Sequence, residues 1–287
     1  MKHFLHIVII IFSIACNRKN EARQPGEHVS AKDSAGYKFE QPDKVFEMPR
    51  ELKEISGIDK IDDTHFACIE DEHGILYIYD LKNQSITKKI KFSNRGDFED
   101  VALSGDIAYA LRSDGTIFRI DNYNATFVTS VINTSLKSRA NTEGLCLDKV
   151  NHRLLIACKG ESATKEIPKH DRIVYSYDLA TSKFDDKPVL VISQKEIEAK
   201  LDARTDFAPS AIAVHPITGD IYIIGTVGKL LLVFSSTGEL KNIQRLEGKY
   251  FIQPEGICIT ANGNIYISNE GRIGKGNILL FKPRSTF

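Results

Sequence analysis

The stretch Gln253-Pro254-Glu255-Gly256-Ile257 decides the fold, because the chain repeats its pattern at four earlier places. Each copy is a short polar anchor, usually Glu-Gly or a similar pair, that opens an apolar strand and precedes two more strand-like runs. The anchors begin at Ser56, Glu99, Glu143, Ser210 and Glu255, which are 43, 44, 67 and 45 residues apart. A period of about 40–50 residues with several strands in each repeat is typical of a β-propeller.

Alternating and apolar runs separated by polar turns predict the other strands of each repeat. The second strands are expected at His65–Ile69, Ile107–Leu111, Leu154–Cys158, Ile221–Gly225 and Ile265–Asn269. The third strands are expected at Leu76–Leu81, Thr116–Asp121, Ile173–Leu179, Leu230–Ser235 and Asn277–Lys282. Fourth strands are expected in four repeats, at Ile86–Phe92, Thr126–Ile132, Val189–Ser193 and Leu240–Leu246.

The fifth repeat has three strands before the sequence ends, and an unassigned strand-like segment, Lys44–Met48, precedes the first anchor. Pairing this segment beside Asn277–Lys282 would close the ring and remove exposed strand edges. We therefore predict an all-β, five-bladed β-propeller closed by an N-terminal strand.

Two insertions explain the long third interval. Residues Gly160 to Asp171 lengthen the turn between two strands of the third blade. Ser193 and Glu196 form a capping-box pattern ahead of a run rich in Glu, Lys, Ala and Leu, which predicts one short helix over 194–203, between blades three and four.

The N-terminal residues differ in composition from the rest. Residues 1–16 combine Lys2, an apolar run from Phe4 to Phe12 and Ser-Ile-Ala before Cys16, the pattern of a signal peptide that ends in a lipobox. Acylation (palmitate) of Cys16 is the expectation, and a plain secretory signal that contains Cys is the alternative. Residues 17–40 are assigned to a flexible tether and residues 41–287 to the propeller. We expect a membrane-anchored lipoprotein of the bacterial cell envelope that faces the periplasm.

The formal net charge is zero, with 26% charged residues, so no bulk charge recruits nucleic acid. We expect no nucleic-acid partner and a monomer. Four cysteines follow Cys16, and the sequence leaves undecided whether two of them form a disulfide in an oxidising compartment. Hairpin register places Cys146 opposite Leu155 and Cys158 opposite Glu143, so Cys146 and Cys158 should not bridge.

Aligning the repeats produces two polar rings. Ser56, Glu99, Glu143, Ser210 and Glu255 begin the inner strands, whereas Glu70, Arg112, Lys159, Thr226 and Glu270 end the second strands. Because the start of one antiparallel strand lies beside the end of its neighbour, the two rings should adjoin at one mouth of the central channel.

The charges of these rings suggest two kinds of arrangement. Glu99 facing Arg112, and Glu143 facing Lys159, would be structural ion pairs. Three carboxylates without such a cation, Glu70, Glu255 and Glu270, should converge where the ring closes. Clustered carboxylates either hold protons through raised pKa values or bind a metal, and oxygen ligands suit Ca²⁺ or Mg²⁺.

The sequence contains no Gly-x-Ser-x-Gly elbow, phosphate-binding glycine loop or supported Cys–His pair, so an acyl-enzyme hydrolase is not expected. The ordered anchors, including Glu54-Ile55-Ser56-Gly57-Ile58, Asn141-Thr142-Glu143-Gly144-Leu145 and Gln253-Pro254-Glu255-Gly256-Ile257, resemble the SdiA-regulated (YjiK-like) family of bacterial envelope β-propellers. The resemblance covers about residues 50 to 283, and it implies a membrane-associated propeller of no established biochemical activity.

More distantly, Glu-Gly anchors around a channel are similar to those of calcium-dependent propeller hydrolases such as phytases, gluconolactonases and arylesterases. The matching His and Asp set of those enzymes is lacking here. The leading hypothesis is a binding or scaffolding module for a small-molecule or protein ligand. The alternative is a Ca²⁺-dependent hydrolase that acts on a phosphoester, lactone or ester.

Overall fold

The computed structural model describes residues 36–160 and 166–284, and these form five four-stranded antiparallel sheets arranged as the blades of a propeller. The first blade contains β2 (Ile55–Lys60), β3 (His65–Glu70), β4 (Ile75–Asp80) and β5 (Ser85–Lys91). The second contains β6 (Phe98–Ser104), β7 (Ile107–Arg112), β8 (Thr116–Asp121) and β9 (Val128–Asn133).

The third blade contains β10 (Thr142–Asp148), β11 (Arg153–Cys158), β12 (Arg172–Asp178) and β13 (Lys183–Ile192). The fourth contains β14 (Ala211–Val214), β15 (Ile221–Gly225), β16 (Leu230–Phe234) and β17 (Leu240–Arg245). The fifth contains β18 (Pro254–Ile259), β19 (Ile265–Asn269) and β20 (Asn277–Phe281), and β1 (Lys44–Glu47) completes it.

The N-terminal strand closes the ring as predicted. β1 pairs antiparallel with β20, with Lys44 opposite Leu280 and Glu47 opposite Asn277. Phe46 and Met48 are buried, whereas Val45 is 44% exposed. The closing strand therefore contributes its ladder hydrogen bonds and two buried side chains.

The core lies between neighbouring blades, because each sheet buries its faces against the next. Between the first and second blades, Phe92, Phe98 and Phe118 pack with ring centroids 5.2 to 5.7 Å apart. The first three strands of the blades carry nearly continuous runs of buried residues, as in β3, β15 and β16, which is the pattern expected of sheets covered on both faces.

One helix follows the third blade, as the capping pattern indicates. It is α1 (Gln194–Leu201), and the Ser193 side chain accepts a hydrogen bond of 3.4 Å from the backbone N–H of Glu196. Asp202 ends the helix in the left-handed conformation (φ 49°). Short 3-10 turns are also present at Arg50–Leu52 and Ser138–Ala140.

The domain begins earlier than residue 41. Tyr37 and Phe39 are buried, and the Phe39 and Phe281 rings lie 5.0 Å apart. Segment 36–40, which the sequence assigns to the tether, is therefore packed against the propeller. The residues predicted to form the signal peptide and the tether, up to residue 35 and including Cys16, lie outside the described residues. In the described part of the chain, no helix has the length and apolarity needed to cross a membrane.

The cysteines of the propeller are buried free thiols at Cys68, Cys146, Cys158 and Cys258. Cys146 pairs with Leu155 as predicted, whereas Cys158 lies opposite Thr142 instead of Glu143. The difference arises from a β-bulge at the anchor of the third blade, which also shapes the candidate site.

Candidate functional site

Three anchor glutamates are the bulged residues of their inner strands. In the third blade Thr142 pairs with Cys158 and Gly144 with Ala157, which leaves Glu143 without a partner in the ladder. The same register shift occurs at Glu99, between Phe98 and Asp100, and at Glu255, between Pro254 and Gly256. A bulge adds one residue to a strand and redirects its side chain. The bulges therefore turn Glu99, Glu143 and Glu255 out of the blade faces.

The glycine after Glu255 is required by the close approach of two inner strands. A Cβ on Gly256 would lie 2.3 Å from Ser268 Oγ and 2.6 Å from the carbonyl oxygen of Ser56 in the first blade. Real Cβ atoms do not approach so closely, so any larger residue would force the blades apart. The Glu-Gly pair thus combines a redirected carboxylate with a tight junction between blades.

The three glutamates lie around Lys159 at one mouth of the channel. Lys159 Nζ is 3.0 Å from Glu143 Oε1, which confirms the predicted pair in the third blade. Burial disfavours the charged form of Lys159, but Glu143, Glu255 and Glu99 together hold its pKa above the ordinary value. We call the group formed by Asp97, Glu99, Glu143, Lys159 and Glu255 the acidic mouth.

Burial and mutual repulsion perturb the carboxyl groups of the acidic mouth. Burial raises the pKa of Glu99, and the charges of Glu143, Asp97 and Glu255 raise it further. Burial also raises the pKa of Glu143, although Lys159 opposes this shift. The pKa of Glu255 is raised to about 7, first by burial and then by Glu143. One lysine does not neutralise the group, so the acidic mouth can hold protons or attract a cation.

Two further polar side chains fix the carboxylates in place. Asn141, in the left-handed conformation (φ 44°), donates a hydrogen bond of 2.8 Å from Nδ2 to Glu143 Oε1. Thr226 Oγ1 donates to the carbonyl oxygen of Pro254 at 2.8 Å and lies 3.4 Å from Glu255 Oε1. The predicted residue Thr226 therefore belongs to the wall of the acidic mouth.

Both anchor serines join neighbouring blades. Ser210 Oγ donates a hydrogen bond of 2.6 Å to the carbonyl oxygen of Pro254, linking blades four and five. The carbonyl oxygen of Ser56 accepts a hydrogen bond of 2.7 Å from Ser268 Oγ, linking blades five and one. Both serines are buried. Ser56 and Ser210 therefore have a structural role, because these contacts fix the spacing of the inner strands.

The predicted pairing of Glu99 with Arg112 is wrong. Arg112 instead binds Asp114 through Nε at 3.1 Å and Nη2 at 2.8 Å, and it also donates to Thr116 Oγ1 at 3.1 Å. This pairing stays within the turn that follows β7, because a carboxylate two residues away is reached at little entropic cost. Glu99 therefore lacks the cation that the sequence alignment assigned to it.

The three carboxylates predicted to converge as a metal site have separate hydrogen-bond partners, although the charge of Glu270 acts on Glu255. Glu70 is buried, and Oε1 accepts hydrogen bonds from the backbone N–H (2.8 Å) and Nδ1 (3.0 Å) of His73, while Oε2 accepts from Glu72 N–H (3.0 Å). Glu270 accepts a hydrogen bond from Gln253 Nε2. Across residues 36–160 and 166–284, no three His, Cys, Asp or Glu side chains are spaced to hold a metal ion. The donor set of Glu70, Glu255 and Glu270 therefore does not fit Ca²⁺ or Mg²⁺.

Two acidic residues near this mouth were missed by the sequence analysis. Asp97 raises the pKa of Glu99, and its spacing of two residues from Glu99 is a signal that could have identified it. Burial, followed by repulsion from Glu54, Glu70 and Glu270, raises the pKa of Asp71 to about 6. These additional carboxyl groups make this end of the channel more negative than the two rings alone predict.

Comparisons with solved structures agree with this architecture. The structure of glutaminyl cyclase from Myxococcus xanthus is 13% identical, with 84% of this chain and 95% of that chain covered and a TM-score of 0.59. A Bacteroides thetaiotaomicron structural genomics protein of unknown function is 11% identical, with 79% and 55% covered and a TM-score of 0.51. At these identities the likeness concerns the fold alone.

A luciferin-regenerating enzyme is 11% identical, with 86% of this chain and 97% of that chain covered and a TM-score of 0.50. None of the curated proteins matches the chain significantly. The model of the SdiA-regulated family matches residues 34–273, which include all five inner strands and every residue of the acidic mouth. On this match, the chain belongs to the SdiA-regulated family.

Proposed function

We propose that this protein is a lipid-anchored binding protein of the bacterial cell envelope, and that its acidic mouth binds a cationic ligand. One observation carries the proposal: β-bulges in three blades direct Glu99, Glu143 and Glu255 toward one mouth, where in the described part of the chain Lys159 is the cation that forms an ion pair with one of them. Nothing in the packing of the blades requires a glutamate at a bulge, because Ser56 and Ser210 begin the other two inner strands.

The electrostatics of the mouth favour a positively charged partner. Glu143 is compensated by Lys159 at 3.0 Å, whereas among the described residues neither Glu99 nor Glu255 forms an ion pair, although the charges of Lys159 and Lys229 also act on Glu255. A carboxylate that is partly buried with like charges gains stabilisation from any cation that approaches it. Amine groups suit this mouth better than a metal ion, because an ammonium group binds separate carboxylates without requiring a coordination sphere.

Calorimetric titration with spermidine at pH 8 and low ionic strength tests the ligand class. We expect saturable binding that weakens about tenfold in Glu255→Gln, which removes a carboxylate charge, and in Glu99→Gln, which removes a carboxyl group that a bound cation would ionise. Glu239→Gln is the matched control, because Glu239 is exposed in the turn before β17. Equal spermidine affinity in all four proteins would refute the proposal.

The same titration with Ca²⁺ addresses the alternative of a metal-dependent hydrolase. The proposal predicts that Ca²⁺ binds no more tightly than expected for screened surface charge, because the carboxylates do not form a coordination group. Submicromolar Ca²⁺ binding that requires Glu255 would contradict the proposal and support the hydrolase alternative.

A further inference from the structure

The central channel has a second opening, at the end where the inner strands finish. A cavity of about 510 Å³ lies there. Its walls are side chains from the inner strands of all five blades, among them Ile58, Val101, Leu145, Val214 and Ile257. The volume is that of a small organic molecule. Most of the lining residues are aliphatic, although Asp59, Lys60, Lys149 and His215 also line the cavity and its wall surface is about as polar as it is apolar. We call this space the apolar cavity.

One carboxylate, that of Asp59, lines the apolar cavity. Its Oδ1 accepts a hydrogen bond of 2.7 Å from its neighbour Lys60 N–H and lies 3.4 Å from Cys258 Sγ. Its Oδ2 accepts one hydrogen bond, of 2.7 Å, from Leu103 N–H. Since each carboxylate oxygen can accept two hydrogen bonds, Oδ2 keeps an acceptor position for a donor in the cavity.

The positive charges around the cavity do not neutralise Asp59. Lys60 and Lys149 both line the cavity, and Lys60 Nζ binds the exposed Asp63 at 2.8 Å. Lys149 is exposed and acts on Asp59 through its charge, but burial outweighs this effect and keeps the pKa of Asp59 above its ordinary value. A cation seated beside Asp59 would supply the missing compensation.

The rim of the cavity exposes large apolar side chains. Val150 is 80% exposed in the turn after β10, and Ile217 is 51% exposed in the turn after β14. Both residues line the opening. Exposed apolar side chains beside an apolar cavity extend the hydrophobic surface that a ligand would bury on entry.

We propose that the apolar cavity binds a small hydrophobic amine, with its apolar body among the aliphatic side chains and its ammonium group hydrogen-bonded to Asp59. The site is distinct from the acidic mouth, since the two lie at opposite ends of the inner strands. It also differs in chemistry: the mouth offers several carboxylates, whereas the cavity offers the carboxylate of Asp59 among mostly aliphatic residues, with Lys60, Lys149 and His215 also in its walls.

Calorimetric titration of the purified full-length protein with 2-phenylethylamine and with its neutral isostere 2-phenylethanol tests the proposal at pH 7.5. We expect the amine to bind about tenfold more tightly than the alcohol. Asp59→Asn should lower the amine's affinity to that of the alcohol. Val214→Phe, which extends a half-buried wall residue into the cavity, should weaken both ligands about tenfold or more.

Two controls locate the site. Asp106→Asn removes an exposed carboxylate on the same face and should leave the affinities unchanged. Glu255→Gln weakens any binding of the amine at the acidic mouth, so the binding that remains in this variant reports the cavity. Equal binding of amine and alcohol, absence of amine binding at millimolar concentration, or binding unaffected by Val214→Phe would overturn the proposal. Loss of amine binding in Glu255→Gln would also overturn it, by placing the amine at the acidic mouth. If Asp59→Asn does not fold, two results still test the proposal: the difference in affinity between the amine and the alcohol, and the effect of Val214→Phe on both.

Discussion

The carboxylate of Asp100 accepts a hydrogen bond of 2.7 Å from the backbone N–H of Leu145, which lies on the inner strand of the next blade. Asp59 makes the equivalent contact from the first blade to Leu103 of the second, also at 2.7 Å. Inner strands present an unpaired edge to the channel, and buried backbone N–H groups require acceptors. Two aspartates therefore satisfy inner-strand donors and join three successive blades.

Replacing Asp100 should weaken the junction between blades two and three. Asp100→Ala leaves the N–H groups of Val101 and Leu145 without their side-chain acceptor, and each unsatisfied buried donor costs about 1–3 kcal/mol. Asp100→Asn keeps one acceptor oxygen and should cost less. Urea unfolding measures the free energy of unfolding of both variants. An Asp100→Ala protein as stable as the wild type would show that these contacts contribute nothing to stability.

The folded protein should lose stability as the pH rises from mildly acidic to mildly basic. Burial raises the pKa of Glu255 from 4.5 to about 7, and that of Glu99 is raised as well. The folded state therefore binds more protons than the unfolded chain above pH 4.5, so its free energy of unfolding falls through this range. A loss of 1 kcal/mol in the free energy of unfolding lowers the melting temperature of a domain of this size by about 2–4 °C. We therefore expect a melting temperature several degrees lower at pH 8 than at pH 5.

The variants Glu99→Gln and Glu255→Gln provide the comparison. Each removes a group that must ionise at a cost, so each should flatten the fall in melting temperature between pH 5 and pH 8. Glu239→Gln should retain the wild-type slope. A wild-type protein that becomes more stable over this range would contradict the electrostatic description of the acidic mouth.

Truncation tests the closure of the ring. Deleting residues 1–49 removes the β1–β20 ladder and the buried side chains of Phe46 and Met48. The stabilising free energy lost is large compared with a total stability of about 5–15 kcal/mol. We expect aggregation or a steep fall in melting temperature. Deleting residues 1–35 should be nearly neutral, since Tyr37 and Phe39 stay in place. Equal thermal stability of the two truncations would refute the contribution of β1.

Anchoring should depend on Cys16. In the proposed function Cys16 carries the lipid, so Cys16→Ser should release a folded domain from membranes. Fractionation of cells expressing the two proteins, followed by a salt wash, measures this. A variant that stays with the membrane pellet after the wash would rule out lipidation as the means of attachment.

The fold could be predicted from the sequence because local patterns repeat at a constant period. The strands Thr116–Asp121, Ile221–Gly225 and Ile265–Asn269 begin and end at the predicted residues. The ring closure by Lys44–Glu47 was predicted too, since a missing strand at one end matched an extra strand at the other. Burial of Tyr37 was missed, because its contacts with distant blades carry no local periodicity.

The candidate site was predictable only in part. Alignment of the repeats placed the anchor glutamates at one end of the channel and paired Glu143 with Lys159 correctly. It assumed a regular hairpin, whereas the bulges that direct the glutamates depend on the register between two strands. The alignment also overlooked short-range partners, since Arg112 binds Asp114 and Glu70 binds its own turn at His73.

The titration of the Glu255 carboxyl group, followed by carbon-13 NMR with and without spermidine, tests the central claim most directly. Loss of the resonance in Glu255→Gln assigns it. We predict a midpoint near pH 7 for the protein alone. Spermidine should lower that midpoint, because a ligand that binds the charged form favours it by linkage. A midpoint near the ordinary value of 4.5 in both conditions would contradict the account.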